Sequence, residues 1–385
     1  MRFNNSKNKD FEISVILPTL NEESAIAKCI DEVKEGLKTF ESMGFNFDFE
    51  IIVADSSTDR TPEIAKEMGA KVVRVDRKGY GEAYIQAFKV AKGDIIVMGD
   101  ADASYNFKEI YKLVLPIANN EADVVVGSRL KGKIEKNAMP ILHRIGNKLL
   151  TWFLNVLFDL KISDAHSGFR ALKKDAIEKM KLKSSGMEFA SEMLVEAKKV
   201  GLKIKEVPIT YRKRIGKSKL HSLRDGWRHM RFMMLYKPHP LLIYPGIILT
   251  IFGLFVMSVL YFRGEVEEKS MHSFILGAIA FLTGFNSFLF GIMISAYSTM
   301  YGYSSSNIAE KILNYHSLEK EIIVGFLMIL FGFFIGIRIV YIWIASGFGS
   351  LSQVASAVLS LTLISAGIMV VYSAFFLSML LLSKE

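Results

Sequence analysis

The charges of this chain thin out where its long apolar runs begin. Acidic and basic residues crowd the first 240 positions, whereas four runs, about 241–262, 271–300, 321–346 and 351–382, are almost wholly apolar. About 20 consecutive apolar residues suffice for a helix to cross the hydrocarbon core of a bilayer, and in lipid only helices and closed barrels satisfy their own backbone. Residues 238–385 are therefore expected to form an α-helical transmembrane domain of four helices.

The chain has 385 residues, 51% of them hydrophobic, and a formal net charge of +9. That charge gathers beside the first span: from Lys203 to Lys237 there are 11 Lys or Arg against only Glu206 and Asp225. The bias agrees with the positive-inside rule and predicts a cytoplasmic soluble part in a multi-pass cell-membrane protein. The loop Arg263–Lys269, with Glu265, Glu267 and Glu268, then falls outside. No nucleic-acid motif accompanies the positive charge, so nucleic acid is not an expected partner. A signal peptide is not expected either, because residues 1–12 are polar and Val15-Ile16-Leu17 is cut short by Pro18. Cys29, the only cysteine, rules out an internal disulfide framework and a thiolate metal cluster; it is expected to pack in a helix.

Before the spans, β-rich runs at 13–19, 50–54, 71–75, 94–99 and 123–127 alternate with helical patterns at 22–40, 61–68, 81–91 and 107–117, and Lys203–Tyr211 reads as one more strand. This rhythm predicts a mostly parallel, Rossmann-like α/β sheet covered on both faces, in a domain spanning 1–216. Residues 217–237 follow as an amphipathic interfacial helix: Leu220, Leu223, Trp227, Met230 and Met234 line one face, and Lys217, His221, Arg224, Arg228 and Arg231 another. Pro238 and Pro240 end it. Leu149–Leu160 is too short to span and suits a core helix and an interfacial helix equally. Arg338, inside the third span, is expected to be paired, functional or snorkelling toward an interface.

Asp100-Ala101-Asp102 ends the apolar run Ile95-Ile96-Val97-Met98. Two carboxylates one residue apart at the carboxyl edge of a parallel sheet present hard oxygen ligands where open α/β folds place their ligands. That pattern suits a Mg²⁺ or Mn²⁺ ion holding a diphosphate. Pro18, Leu20 and Glu22 end the first strand and Asp55 the second, at the same edge, while Asp59 and Thr61 before Pro62 suit a helix start.

In chain order, Leu17-Pro18-Thr19-Leu20-Asn21-Glu22-Glu23, Asp55 with Ser57-Thr58-Asp59, Asp100-Ala101-Asp102, Gly127-Ser128-Arg129, Ser167-Gly168-Phe169-Arg170 and Gly216-Lys217-Ser218-Lys219-Leu220 resemble family 2 glycosyltransferases of the GT-A fold. More narrowly, they resemble the polyprenyl-phosphate branch, the dolichyl-phosphate mannose, glucose and N-acetylglucosamine synthases. The resemblance covers about residues 11–235. It implies inverting transfer of a hexose from a nucleotide diphosphate sugar to dolichyl or polyprenyl phosphate, with the bilayer as a further partner; a homo-oligomer is compatible with it.

Charge assigns the roles within that resemblance. Two anions must meet at bonding distance, so cations must face both. Asp100 and Asp102, with Ser104 two places on, are expected to hold the metal; Ser104 stands where mannose synthases often carry Gln. Arg129, Arg214 and Lys219 are expected on phosphate oxygens, with Asp102, Arg129 and Arg214 central to turnover. By resemblance, Glu22 and Asp55 contact the base or ribose and Pro18, Leu20 and Ala101 line the donor. Ala54 replaces an acidic residue that many members carry beside Asp55. Arg144 and Ser167 are expected at the lipid phosphate, with Trp152 and Phe153 along the prenyl chain. An ionised phosphate needs no general base, so Asp164 and His166 are not assigned that role. The rival readings are a membrane polysaccharide synthase, against which no Gln-x-x-Arg-Trp motif is found, and a non-catalytic subunit of a lipid-sugar flippase.

Overall fold

Every second residue of strand β1 (Phe11–Thr19) serves one face of a sheet: Ile13, Val15 and Leu17 enter one core layer and Ile16 the other. A strand apolar on both sides belongs inside a sheet covered on both faces. The computed structural model describes residues 11–77, 79–216, 222–263, 268–303, 310–311, 317–348 and 353–382. After β1 come α1 (Ile26–Glu41), β2 (Phe47–Asp55), α2 (Thr61–Glu67), β3 (Lys71–Arg74), α3 (Tyr80–Val90), β4 (Ile95–Met98), α4 (Ile110–Ala118), β5 (Val124–Ile134), α5 (Ile141–Phe158), β6 (Arg170–Lys173), α6 (Lys174–Lys179), α7 (Phe189–Lys199), β7 (Ile204–Tyr211) and α8 (Ser222–Tyr236).

The strand order is β3-β2-β1-β4-β6-β5-β7. Neighbours pair in parallel except β6, which runs antiparallel between β4 and β5. This is the mostly parallel α/β sheet expected. The sequence reading missed β6: its four residues are too few for a periodic signal, and only pairing on both sides makes them a strand. On one face α1 and α4 cover the sheet, with Cys29 inward from α1 as expected; burial pushes its thiol up to about 12. On the other, α3 and α7 bring Tyr84, Ala87, Phe189 and Met193 against Ile16, Ile52 and Ile96.

The chain divides into two compact units, Met1–Phe232 and Met233–Glu385, with the boundary inside α8. Helix α8 packs inward through a face the sequence reading did not single out, and leaves Trp227 of the expected interfacial face exposed. His229, Phe232, Met233 and Tyr236 are buried, whereas Trp227 is 58% exposed and Met230 and Met234 are only partly covered. At 100° per residue these faces lie on opposite sides. Lys217, Lys219, Leu220 and His221 lie outside the described residues, as does the side chain of Leu223.

In the second unit a π-helical turn, His239–Ile243, leads into α9 (Tyr244–Phe262), followed by α10 (Glu268–Met300), α11 (Leu318–Ala345) and α12 (Val354–Leu382). Among the described residues four helices are long and apolar enough to cross a membrane: His239–Phe262, Ser270–Met300, Leu318–Ala345 and Val354–Leu382. Glycines seven residues apart seam them in antiparallel pairs. Gly246 and Gly253 of α9 meet Gly284 and Gly277 of α10, and Gly325 and Gly332 of α11 meet Gly367 and Ser360 of α12. A Cβ at Gly253 would lie 2.3 Å from the Phe281 amide nitrogen, so backbone lies directly against backbone. Without a hydrophobic drive between helices in lipid, such close packing supplies the association.

Candidate active site

β1, β2 and β4 end side by side, with Thr19 opposite Asp55 and Ile16 opposite Met98. The turn after β4 folds on itself: Asp102 Oδ1 accepts the Ser104 amide (3.0 Å) and hydroxyl (2.5 Å), and Ala103 between them sits at φ +60°, a conformation that favours glycine. The segment after β7 zips onto this turn, the Arg212 amide donating to Ser104 O (2.8 Å) and the Ile215 amide to Asp102 O (2.9 Å). Arg212 anchors that segment through a forked pair with Glu32 and a bond to Tyr105 O. The result is Arg214, its Nη2 3.4 Å from Asp102 Oδ2 and 3.8 Å from Glu22 Oε1. Glu22, Asp102 and Arg214, far apart in sequence, thus meet at one place.

Asp100 points the other way. Its Oδ1 is buried with no hydrogen-bond partner, and burial, followed by the charge of Asp102, raises its pKa from 3.8 to about 7. The Ser167–Phe169 turn presses on it: a Cβ at Gly168 would lie 3.0 Å from Asp100 Oδ1 and 2.6 Å from the Tyr80 hydroxyl, so only glycine fits. Buried Arg170 pins this turn, donating to the carbonyls of Ala165, Ser167 and Ala190 at 2.7–2.8 Å.

An orphaned carboxylate oxygen beside a second carboxylate fits a hard divalent ion. The fit is to Asp100 and Asp102 alone: no cluster of three His, Cys, Asp or Glu able to hold a metal occurs among the described residues, so phosphate oxygens and water would complete the shell. Ser104, expected as a third ligand, lies within the turn after β4. Its hydroxyl is buried and donates to Asp102, fixing the turn.

Arg129 on β5 is likewise committed. Its Nε and Nη2 each lie 2.8 Å from Asp164, its guanidinium stands 5.2 Å over the Tyr211 ring, and it is buried. Burial alone would lift Asp164, but the Arg129 charge together with the hydrogen bonds from Arg129 outweighs it and holds the carboxyl below its usual range. An open phosphate fork is not what this arrangement offers.

Asp55 also departs from expectation. Its side chain is inaccessible, Oδ1 taken by the Thr19 hydroxyl (2.8 Å) and the Ser57 amide (3.1 Å), and Oδ2 by Arg74. Closed to solvent, it presents no surface of its own to a base; Arg74, 56% exposed, is the group at that position with free surface. The sequence reading passed over Arg74 because a lone arginine after a strand carries no motif. Glu22 donates its amide to Thr61 Oγ1 (2.9 Å), and its carbonyl receives the amides of Ala25 and Ile26 at the start of α1. Asp59 accepts the Thr61 amide (3.0 Å) at the head of α2. Pro18 and Leu20 flank Thr19 at the strand end, half-buried, and Ala101 is buried. Lys219 lies outside the described residues.

On α5 both readings of 149–160 apply. Thr151 and Leu154 are buried, while Ile141, Leu142, Ile145, Leu149, Trp152 and Val156 form a stripe 53–78% exposed, with Arg144 exposed beside it. Ser167 is buried, its Oγ without a partner. No contact among the described residues joins it to Arg144.

Residues 14–181 match the model of glycosyl transferase family 2, and residues 292–381 that of the glycosyltransferase family 2 C-terminal transmembrane region. The chain is 42% identical over 371 residues to the low-salt glycan biosynthesis hexosyltransferase Agl6 of Haloferax volcanii, covering 96% of this chain and 89% of that protein. It is 32% identical to the dolichyl-phosphate hexose transferase of the same organism (56% of this chain, 89% of the relative). To the dolichol-phosphate mannosyltransferase of Pyrococcus furiosus it is also 32% identical (59% and 64%). A glucosyl-3-phosphoglycerate synthase from Mycobacterium tuberculosis, crystallised with Mn²⁺, UDP and glucosyl-3-phosphoglycerate, superposes at a TM-score of 0.47 and 23% identity, over 58% of this chain and 78% of that one. The last likeness is too slight to bear on the site. The transmembrane match and the four apolar helices make this a multi-pass membrane protein.

Proposed function

The chain belongs to glycosyltransferase family 2, and on that premise we propose that it moves a hexose from a nucleotide diphosphate sugar to a polyprenyl phosphate of the dolichyl type. The observation that carries the reading is the meeting of Arg214 with Asp102 and Glu22 at the carboxyl edge of the sheet, one cation between two acidic residues, with the orphaned Asp100 oxygen two residues before Asp102. Relatives named as dolichyl-phosphate hexose and dolichol-phosphate mannose transferases support the acceptor class. The exposed apolar stripe of α5, with Arg144 beside it, suits a prenyl chain and its phosphate at a bilayer surface. The 11 basic residues between Lys203 and Lys237 support a cytoplasmic catalytic domain.

Asp100 and Asp102 would hold Mg²⁺ or Mn²⁺, which when bound neutralises charge on the leaving diphosphate. Arg214 lies within reach of the same phosphate oxygens, and binding donor would exchange its contacts with Asp102 and Glu22 for contacts with the diphosphate. Arg74 donates toward the base or ribose while Asp55 holds it in place. Arg129, fixed by Asp164, contributes a buried positive charge beside Asp100 without leaving its partner. The acceptor phosphate arrives ionised and attacks the anomeric carbon opposite the leaving group, inverting it; no side chain is needed to take a proton.

Membranes containing the full chain, incubated with a panel of radiolabelled nucleotide sugars and a polyprenyl phosphate, should yield one labelled sugar per lipid and none in EDTA. A polymeric product, or metal-independent transfer, overturns the reading.

A further inference from the structure

Arg338 stands on α11 at a place where a cation is costly. It is exposed, 20 residues from the start of a 28-residue apolar helix. A charge within the apolar stretch of a span is costly, so such a residue takes an anion or reaches for one. The described parts of the four spans offer no carboxylate at that depth: Glu319 and Glu321 lie at the opposite end of α11, and α9, α12 and the apolar stretch of α10 contain no Asp or Glu. No ion pair to Arg338 occurs among the described residues.

The surface leading to it is apolar and shaped. Leu327, Leu330, Phe331, Phe333, Phe334 and Ile337 line a shallow groove along α11, each 55–68% exposed. At 100° per residue Arg338 falls between Leu327 and Phe331 on that face, opposite the Gly325–Gly332 seam that packs on α12. Tyr341, 71% exposed, continues the stripe one turn beyond the cation. An apolar track about 16 Å long from Leu327 to Arg338, ending in one guanidinium below an aromatic residue, has the form of a receptor for a long hydrocarbon with a phosphate head.

We propose that the outer face of α11 binds a polyprenyl phosphate, with the prenyl chain in the Leu327–Ile337 groove and the phosphate on Arg338. The proposal rests on the polyprenyl-phosphate reading for its ligand and adds a second, non-catalytic site for that lipid.

The test uses the full chain in phosphatidylcholine nanodiscs with a diazirine-bearing polyprenyl phosphate, adducts being located by peptide mass spectrometry. Adducts on 327–341 should fall at least about fivefold in Arg338→Gln and less in Arg338→Lys, while transfer to a short detergent-soluble acceptor stays at the parent level. Equal labelling of parent and Arg338→Gln overturns the proposal. So does equal labelling by the matching prenyl alcohol, or complete competition by excess phosphatidylglycerol, either of which reduces Arg338 to an ordinary interfacial anchor. Absence of transfer in the parent protein would instead count against the proposed reaction, whereas normal transfer with no adducts on 327–341 of the parent would count against this site alone.

Discussion

Arg129 and Asp164 form a forked ion pair closed to solvent, each of two guanidinium nitrogens 2.8 Å from a carboxylate oxygen. Removing one partner of a buried pair leaves the other charge uncompensated, at a cost of about 3–5 kcal/mol. Arg129→Ala and Asp164→Asn are therefore expected to lower the unfolding midpoint of the soluble unit markedly, and to lower turnover in proportion to folded protein lost plus a smaller specific loss. An Arg129→Ala protein as stable as the parent in a denaturant titration would show that the pair holds nothing together.

Arg214 should behave differently. It is 24% exposed on its side chain and its carboxylate contacts are long, 3.4 and 3.8 Å, so little folding energy depends on it. Arg214→Ala is expected to leave the melting temperature nearly unchanged and to cut turnover about 100-fold, equivalent to ~2.7 kcal/mol of transition-state stabilisation. Lysine should restore part of it, since charge returns without the fork.

Asp100 sets a pH dependence for metal binding. Its folded-state pKa is raised from 3.8 to about 7, so its contribution to stability is complete below the unfolded value and disappears as pH rises through 7. A divalent ion requires the ionised carboxylate, so affinity for Mn²⁺ should weaken about tenfold per unit as pH falls below 7. Calorimetry at pH 5, 6 and 8 checks this, with Asp100→Asn expected to bind weakly and without that slope. A pH-independent affinity in the parent protein would remove Asp100 from the metal shell.

Arg74, paired with an inaccessible Asp55, is placed to bind donor in ground and transition states alike. Arg74→Ala is expected to raise the donor KM about tenfold and leave kcat within about twofold. A kcat loss at unchanged KM would show that the residue acts on the reacting centre instead.

The glycine seams predict a packing effect in the spans. Gly253→Leu places side-chain atoms where a Cβ already lies 2.3 Å from backbone, and should lower the detergent melting temperature. Gly336→Ala, whose Cβ would meet only Ser360 Oγ at 3.4 Å, should change little. Equal effects of the two would deny the seam.

The sequence by itself determined the elements whose signal is local. Four apolar runs declared four spans, because length and hydropathy alone decide what crosses a bilayer. The alternation of strands and helices through residue 117 declared a mostly parallel sheet, and Asp100 and Asp102 marked the edge proposed as its active site. Tertiary structure decided what depends on partners distant in the chain. Arg129 and Asp55 carry motif positions, yet Asp164, 35 residues away, and Arg74, 19 away, determine that they are spent on internal bonds. Helix α8 shows two faces that hydropathy alone cannot rank, and packing buries the one containing His229. Strand β6 is too short to announce itself and exists because β4 and β5 pair with it. Periodicity and hydropathy are written residue by residue along the chain, whereas the availability of a carboxylate or a guanidinium depends on which neighbour the fold places within 3 Å of it.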